Sequence, residues 1–197
     1  LGFPIMEGFG ISGGLLPYSF QGYELKQNFE FTDGTDSLDY SINHSGSGGF
    51  NRAYVNVGVE IVEGLSVGAT GSMIFGTLNQ QRDLIFDDEF VLNRRDDNSY
   101  YVRDYTYDAG IQYQKNIGDK YFTFGATYSP QFSLNASNRG AIYTYDIVSD
   151  FEYIRDTVEV FGSSTNGLVL PKAFATGLAL GKTDNWFVSA EYDFKEW

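Results

Sequence analysis

Apolar and polar residues alternate in this chain over stretches of about ten residues, and this period of two constrains the fold more than any other feature. In the first clear stretch, the apolar set alternates with a polar or small set: Val55, Val57, Val59 and Ile61 against Asn56, Gly58 and Glu60. Successive side chains of a β-strand point to opposite faces of the sheet. The pattern therefore predicts all-β structure in strands with one apolar and one polar face.

Three pairs of alternating stretches are joined by short segments that contain glycine, as β-hairpins require. The predicted hairpins are residues 54–76 with a turn at Gly64, residues 104–129 with a turn around Gly118, and residues 169–194 with a turn that begins at Gly181. One earlier strand is expected near residues 8–18. The sequence thus predicts about seven strands of the length that crosses a bilayer.

The connections at the other ends of these hairpins are long. Residues 21–49 are expected to form an extra hairpin beyond the bilayer, residues 79–99 a long charged loop, and residues 135–167 a longer loop with its own small hairpin. Short turns at one edge and long extracellular loops at the other are typical of outer-membrane β-barrels, with the short edge in the periplasm. Aromatic residues near strand ends are expected at the membrane interfaces: Tyr100, Tyr101, Tyr121, Phe122, Trp186 and Phe187.

Composition agrees with a barrel and excludes other classes. The chain has 197 residues with 23 Gly, 15 Tyr and 17 Phe, and its net charge is −13, which disfavours nucleic-acid binding. It contains no cysteine, so disulfides and thiolate metal sites are excluded. A soluble β-sandwich is the alternative, but the predicted strands are longer than is usual there, and their polar faces favour Gly, Ser, Thr, Asn and Gln over Lys and Glu.

An odd number of strands does not fit a closed bacterial barrel, because single-chain barrels have even counts of eight or more. Unpaired strand edges in lipid cost several kcal/mol for each backbone group. Residues 1–197 are therefore expected to be part of a single outer-membrane barrel domain, with further strands before Leu1 and after Trp197.

Several segments resemble the FadL family of outer-membrane transporters for long-chain fatty acids and hydrocarbons. The most specific is Leu170-Pro171-Lys172-Ala173-Phe174-Ala175-Thr176-Gly177, followed by Trp186 and by the stretch from Glu191-Tyr192 to Trp197. Residues 108–113, 125–129 and 65–69 resemble earlier strands of the same family, and the loops look most like members from Bacteroidota. The resemblance implies a fourteen-stranded barrel in full, of which this chain supplies about half, with an N-terminal hatch that is absent here.

Transport follows from that resemblance as the first functional expectation. Family members release hydrophobic ligands sideways through a kink in their third strand, and the matching strand here contains Gly13, Gly14 and Pro17. These three residues are the candidate lateral gate, since glycine permits a kink and proline removes a ladder donor. Glycine pairs that accommodate barrel curvature are the competing interpretation.

Two functional hypotheses remain open from the sequence. The first is passive uptake of a hydrophobic small molecule across the Gram-negative outer membrane, and the second is a non-transporting FadL-like subunit of an outer-membrane secretion or assembly complex. A general diffusion porin is a third possibility. The expected partners are a hydrophobic ligand, outer-membrane lipid and lipopolysaccharide, and proteins of such a complex.

Other candidate chemistry is weak. The charged segment from Arg82 to Asp97 is interpreted as a solvated loop with internal ion pairs rather than a Ca²⁺ site, because it lacks EF-hand spacing. Residues 33–36 are expected to form a turn. The single His44 lies beside a glycine-rich run without a nucleophile motif, so no enzyme activity, cofactor or metal is expected. Asp104 and Asp108 share a strand face and are expected to line a polar lumen.

Overall fold

A computed structural model describes residues 1–33, 36–88, 90–149 and 151–197, and the side chains of these residues except 32, 33, 36, 37 and 163–166. Glu89 in the charged segment, and Gly34 and Thr35 in the predicted turn, thus lie outside the described residues. The described residues contain no helix. In particular, they include no helix with the length and apolar character needed to cross a membrane.

The described chain forms one antiparallel sheet that curls into an open half-barrel. Its strands are β1 (Gly2–Met6), β2 (Phe9–Asp33), β3 (Asp36–Val62), β4 (Leu65–Phe86), β5 (Asn93–Ile117), β6 (Lys120–Ser129), β7 (Phe132–Val148), β8 (Phe151–Leu170), β9 (Lys172–Lys182) and β10 (Trp186–Glu196). Neighbours along the sheet follow the order β1-β2-β3-β4-β5-β6-β9-β10, while β7 pairs with β5 and β8 pairs with β7. Among the described residues, no ladder joins β1 to β10.

All three predicted hairpins are confirmed. The pairs Val62↔Leu65, Ile117↔Lys120 and Lys182↔Trp186 close their turns. Gly64 and Gly118 adopt positive φ angles of 80° and 64°, which glycine accepts without the steric cost of a Cβ. These two turns therefore follow directly from the glycines that predicted them. In the third, Gly181 lies in β9 instead, and Asp184 takes the positive φ, at 60°.

The seven strands predicted at bilayer-crossing length are present in this sheet path as β2, β3, β4, β5, β6, β9 and β10, each of ten residues or more. The path also contains an eighth, shorter strand. The additional strand is β1, which pairs with residues 9–12 of β2. It is only five residues long and contains Pro4, so it shows too little alternation to be recognised. At five residues β1 is shorter than the about 9–11 residues that a membrane-crossing strand needs, so it does not change the number of strands of that length.

The long loops at the upper edge are largely strand. β2 and β3 remain paired as far as Asp33↔Asp36. β4 and β5 remain paired as far as Leu84↔Arg94, so the connection between these two strands is only residues 87–92. The hairpin expected within residues 135–167 is confirmed but is larger, since β7 and β8 pair from Phe132↔Leu170 to Val148↔Phe151. We call these three extended hairpins, residues 19–51, 75–103 and 132–170, the extension.

Two prolines divide long strands at one level of the sheet. Pro130 separates β6 from β7, and Pro171 separates β8 from β9. The pairing register of the two long strands is the same below and above these prolines, as the pairs Ser129↔Ala173 and Phe132↔Leu170 show. Proline lacks a backbone donor and interrupts a ladder. At this level β5 changes partner. Its residues 93–102 pair with β7, and its residues 109–117 pair with β6.

Candidate functional site: the two faces of the sheet

Side chains on the face that bears Val55, here called the outer face, form an apolar band in the lower part of the sheet. Residues directly opposite each other in an antiparallel ladder share a face, and the register aligns Ala53 with Met73 and Tyr105 at the top of the band. Leu65 pairs with Tyr113 at its base. The band continues around the sheet with Ile11, Val57, Val59, Val67, Tyr107, Ile111, Phe124, Tyr128, Phe174, Leu178, Val188, Tyr192 and Phe194.

These outer-face side chains are open to their surroundings. Val55 is 61% exposed, Tyr105 67% and Val188 68%, although water-exposed sheets normally carry polar residues there. The band covers nine residues of β3, from 53 to 61, and nine of β5, from 105 to 113. A tilted strand needs about 9–11 residues to cross a bilayer.

The opposite, inner face of the same segments carries small and polar residues on the concave side. One register row runs Gly10, Gly58, Gly68, Gly110 and Thr127, and its neighbours carry Asn56, Thr70, Gln112 and Thr123. This face borders a cavity of about 520 Å³. The lower sheet thus has the two-faced pattern that the alternation predicts.

An ion pair crosses the inner face above this row. The Arg52 guanidinium contacts the Asp108 carboxylate and donates from Nε to Ser72 Oγ at 2.8 Å. The Ser129 hydroxyl donates to Asp108 Oδ1 at 2.5 Å. Asp104 instead accepts from the backbone and side-chain nitrogens of Asn135, at 2.9 and 3.0 Å. Both aspartates occupy inner-face positions of β5, and each is hydrogen-bonded to a neighbouring strand near the level where β5 changes partner.

An apolar cluster covers the inner face directly above this ion pair. Ile74, Val102 and Leu134 are each only 1% exposed, and Phe50 is 6% exposed. Ala136 completes the buried set, against which Leu78, Phe132 and Leu170 pack. Burial of these side chains is a main source of packing energy on the inner face, at about 1.5–3 kcal/mol for each fully buried large side chain.

The chemistry of the two faces is inverted in the extension. On β3, the outer positions from 39 to 51 are Asp39, Ser41, Asn43, Ser45, Ser47, Gly49 and Asn51, whereas the inner positions include Tyr40, Ile42 and Phe50. The same change occurs on β4, where outer Asn79, Gln81 and Asp83 replace the apolar residues of the lower strand. The apolar side thus changes from outer to inner at about residues 51–53 of β3.

The backbone bends at the level of this inversion. β2 shifts register between Pro17 and Ser19. Nearby, Gly48 and Gly76 adopt φ angles of 105° and 151°. A Cβ on Gly48 would lie 2.2 Å from the carbonyl oxygen of Thr77, so this backbone approach requires glycine.

Arg95 organises the outer face of the extension. Its Nη1 and Nη2 each donate to Glu152 at 2.9 Å, its Nε contacts Asp83, and its guanidinium carbon lies 4.8 Å from the centroid of the Tyr145 ring. These hydrogen bonds raise the pKa of Arg95 despite its burial. At Tyr143, by contrast, burial raises the pKa of the hydroxyl, which donates a hydrogen bond to Asp97 at 2.8 Å. The network links β4, β5, β7 and β8.

The charged segment is therefore part of the sheet rather than a solvated loop. The expected internal ion pairs are confirmed at Asp83–Arg95 and Arg94–Asp96. No group of three or more possible metal ligands occurs among the residues that the structure describes. His44 lies within β3, opposite Leu25 and Arg82, so the adjoining glycine-rich run is a strand and not a flexible loop.

The candidate gate residues lie in β2 with different local structures. Gly13 and Gly14 are in regular pairing with Val55 and Tyr54, and a Cβ on Gly14 would meet the Tyr54 ring at 3.2 Å. Pro17 borders the register shift. The ladder of β2 with β3 continues on both sides of these residues.

The alternation did not reveal two features of these faces. The Arg95 network lies in segments predicted as loops, because their strands carry charged and amide residues. Of the inner apolar cluster, Ile74 lies in a predicted strand and only Ala136 in a predicted loop, so its assembly depends on pairing that the pattern does not specify. The alternation of Leu38, Tyr40 and Ile42 did predict the β2–β3 hairpin, but it did not show that this apolar set lies on the inner face.

Comparison with known proteins gives one match. A family model described as BamG matches residues 1–197, the whole of this chain. No curated protein and no solved structure matches. The expected membership of the FadL family was therefore wrong: the segments that suggested it are short strand motifs, which barrels of different families can share.

Proposed function

The chain belongs to the BamG family of proteins related to outer-membrane β-barrel assembly, and from this membership we propose that it is a non-transporting subunit of an outer-membrane assembly complex in Gram-negative bacteria. The match over the whole chain is the observation that carries this proposal. It favours the second sequence-based hypothesis over uptake of a hydrophobic ligand, because the uptake hypothesis depended on the FadL resemblance.

The outer apolar band is the surface that places the subunit in the membrane. Exposed valine, tyrosine and phenylalanine side chains over nine residues match the lipid-facing height of outer-membrane barrels, which is about 25 Å. In this arrangement the lipid acyl chains contact the band, and the short turns at Gly64, Gly118 and Asp184 face the periplasm. The extension then rises above the outer leaflet, beside lipopolysaccharide.

The inner face supports the absence of transport. A path for a solute along this face would pass the Arg52–Asp108 ion pair and then the buried cluster of Phe50, Ile74, Val102 and Leu134. Apolar side chains in such a path oppose the passage of ions and hydrophilic solutes. The full-length protein in planar bilayers is therefore expected to show no ion conductance.

Deletion of the gene tests the proposal against transport. We expect the folded amounts of other outer-membrane β-barrel proteins, measured by heat-modifiable migration, to fall in the deletion strain and to recover on complementation. Uptake of fatty acids and hydrocarbons is expected to stay unchanged. Reduced uptake together with unchanged levels of folded barrels would contradict the proposal.

A further inference from the structure

Charged side chains on the outer face of β5 change sign with distance from the apolar band. Tyr105 is the uppermost residue of the band on this strand, and the outer positions above it are Arg103, Tyr101, Ser99 and Asp97, in that order. The first charge above the band is therefore positive, and the first carboxylate lies further up.

Carboxylates are also displaced upward on the neighbouring strands. The first outer-face carboxylates above the band are Glu24 on β2, Asp39 on β3 and Asp83 on β4. We call the outer positions between the band and these carboxylates the belt, which lies within residues 17–22, 41–51, 75–81, 99–103 and 137–141. Arg103 and Arg139 carry the only charges in the belt among the residues that the structure describes.

Both belt arginines are exposed, and neither has a hydrogen bond or an ion pair within the described part of the chain. By contrast, Arg94, Arg95 and Arg155 of the extension each contact a carboxylate. Asp97 is the nearest outer-face carboxylate on β5, and it accepts a hydrogen bond from the Tyr143 hydroxyl instead. Since arginine stays protonated in proteins, two positive charges face outwards without a counter-charge.

The two arginines lie along one line that starts at the band. Arg139 of β7 pairs with Ser99 of β5, which is four residues above Arg103. At a rise of about 3.3 Å per residue, the two arginines are about 13 Å apart along the strand. Tyr101 lies between them on the same face, opposite Ser137, and is 49% exposed. Tyrosine is enriched at the headgroup level of membranes, because its ring is apolar and its hydroxyl is polar.

The order of chemistry on this face, apolar and then positive, selects among possible occupants. A lipid with an anionic headgroup carries its acyl chains and its negative charge in the matching order, and basic side chains beside a membrane attract such headgroups. In the outer leaflet of the outer membrane this lipid is lipopolysaccharide. An acidic protein segment would match the arginines but not the band, and beyond the belt it would meet Asp83 and Asp97.

We propose that Arg103 and Arg139 bind the phosphorylated headgroup of lipopolysaccharide, whose acyl chains lie against the outer apolar band. The inference rests on the proposed function, since it requires that the band faces lipid and that the extension rises from the outer leaflet. Arg103 contacts the phosphate nearest to the acyl chains, and Arg139 contacts an anionic group of the sugars above it. Tyr101 packs against the sugar between them.

Titration of lipopolysaccharide onto the full-length protein in detergent micelles measures this contact, with native mass spectrometry to count the bound lipid. The variant R103Q/R139Q is expected to bind at least about tenfold more weakly, which corresponds to about 1.4 kcal/mol. Lipopolysaccharide that has been dephosphorylated by a phosphatase is expected to lose affinity for the unsubstituted protein to a similar extent. Inorganic phosphate at the same concentration is expected not to compete, because it lacks the acyl chains.

Two further variants control for charge and for folding. The variant R82Q/R155Q removes the same number of positive charges outside the belt, from the inner face of β4 and from the ion pair with Asp146, and is expected to bind like the unsubstituted protein. The variant R103K/R139K is expected to retain most of the affinity, because lysine also binds phosphate as a point charge. Heat-modifiable migration shows whether each variant is folded.

Three results would overturn the inference: equal affinity of R103Q/R139Q and R82Q/R155Q, equal affinity for native and dephosphorylated lipopolysaccharide, or loss of a co-purified protein instead of the lipid from R103Q/R139Q. The last result would assign the arginines to an acidic protein segment. If protein partners still co-purify with the unsubstituted chain, the proposed function stands and the lipid site alone is wrong. If phosphate-dependent binding is observed but no protein co-purifies, the lipid site stands and the proposed function is wrong.

Discussion

Single glycines determine where the sheet can bend. Gly48 has a φ of 105°, and a Cβ there would lie 2.2 Å from the Thr77 carbonyl oxygen, whereas a Cβ on Gly125 would meet no atom within 4 Å. Both residues lie in strands, so their sequence contexts look alike. The difference between them comes from the neighbouring backbone.

We expect Gly48→Ala to lower the free energy of unfolding by at least about 2 kcal/mol, because it combines a strained φ with a backbone collision. Gly125→Ala is the matched control and is expected to change stability by less than about 0.5 kcal/mol. Urea unfolding of both variants in detergent micelles measures the difference. Equal stability of the two variants would show that the bend at Gly48 does not exist.

Arg95 is the residue whose charge the extension depends on most. Its side chain is 16% exposed and its partner Asp83 is 11% exposed, so removal of the guanidinium would leave a largely buried carboxylate without its cation. Arg95→Ala is expected to destabilise the extension by about 3 kcal/mol. Protease sensitivity of β7 and β8 is the measurement.

Arg95→Lys separates charge from geometry at this position. Lysine keeps the positive charge but loses the bidentate contact with Glu152 and the planar stacking over Tyr145. We expect protease sensitivity between those of the original chain and Arg95→Ala. A lysine variant as sensitive as the alanine variant would indicate that the fork geometry, rather than the charge, stabilises the hairpin.

Among the strands, β3 shows both the inversion of the faces and the limit of sequence-based prediction. Its lower part, with Val55, Val57 and Val59 on one side, was predicted correctly because its outer positions carry uniform apolar residues. Its upper part was predicted as part of an extra hairpin, and this was correct too. The corresponding part of β4, from Asn79 to Asp83, was predicted as loop, because amides and charges on its outer face mask the alternation.

The family could not be derived from strand patterns. Any barrel that crosses the same membrane needs alternating strands of similar length, so a Leu-Pro segment followed by a Trp strand does not discriminate between families. The same limit applies to Gly13, Gly14 and Pro17, whose predicted gate role depended on the FadL register. The buried cluster of Ile74, Val102 and Leu134 depends on pairing between distant strands, which the sequence pattern does not specify.

Adjacent positions of β3 test the assignment of its two faces. Val57 is central in the outer apolar band, and Arg in the lipid-facing middle of a barrel costs about 2–4 kcal/mol. We expect Val57→Arg to lower the free energy of unfolding in bilayers by this amount. Asn56→Arg, on the polar inner face, is expected to have a much smaller effect. Similar losses for both variants would contradict the lipid exposure of the outer face.

The whole molecule combines an outer apolar band, an inner face with a buried apolar cluster, and an acidic extension. These features agree with a subunit that contributes surface to a complex rather than a passage for solutes. The outer apolar band and the polar outer face of the extension are separated by the bend at Gly48 and Gly76. Contacts with lipid and contacts with a protein partner can therefore occur at the same time.

Affinity purification of the full-length protein from outer membranes in mild detergent tests the central claim most directly. The account predicts a complex with one or more protein partners in fixed stoichiometry, whose mass exceeds that of this protein alone by native mass spectrometry. A protein that is recovered alone, with a fatty acid or hydrocarbon bound to it, would contradict the account.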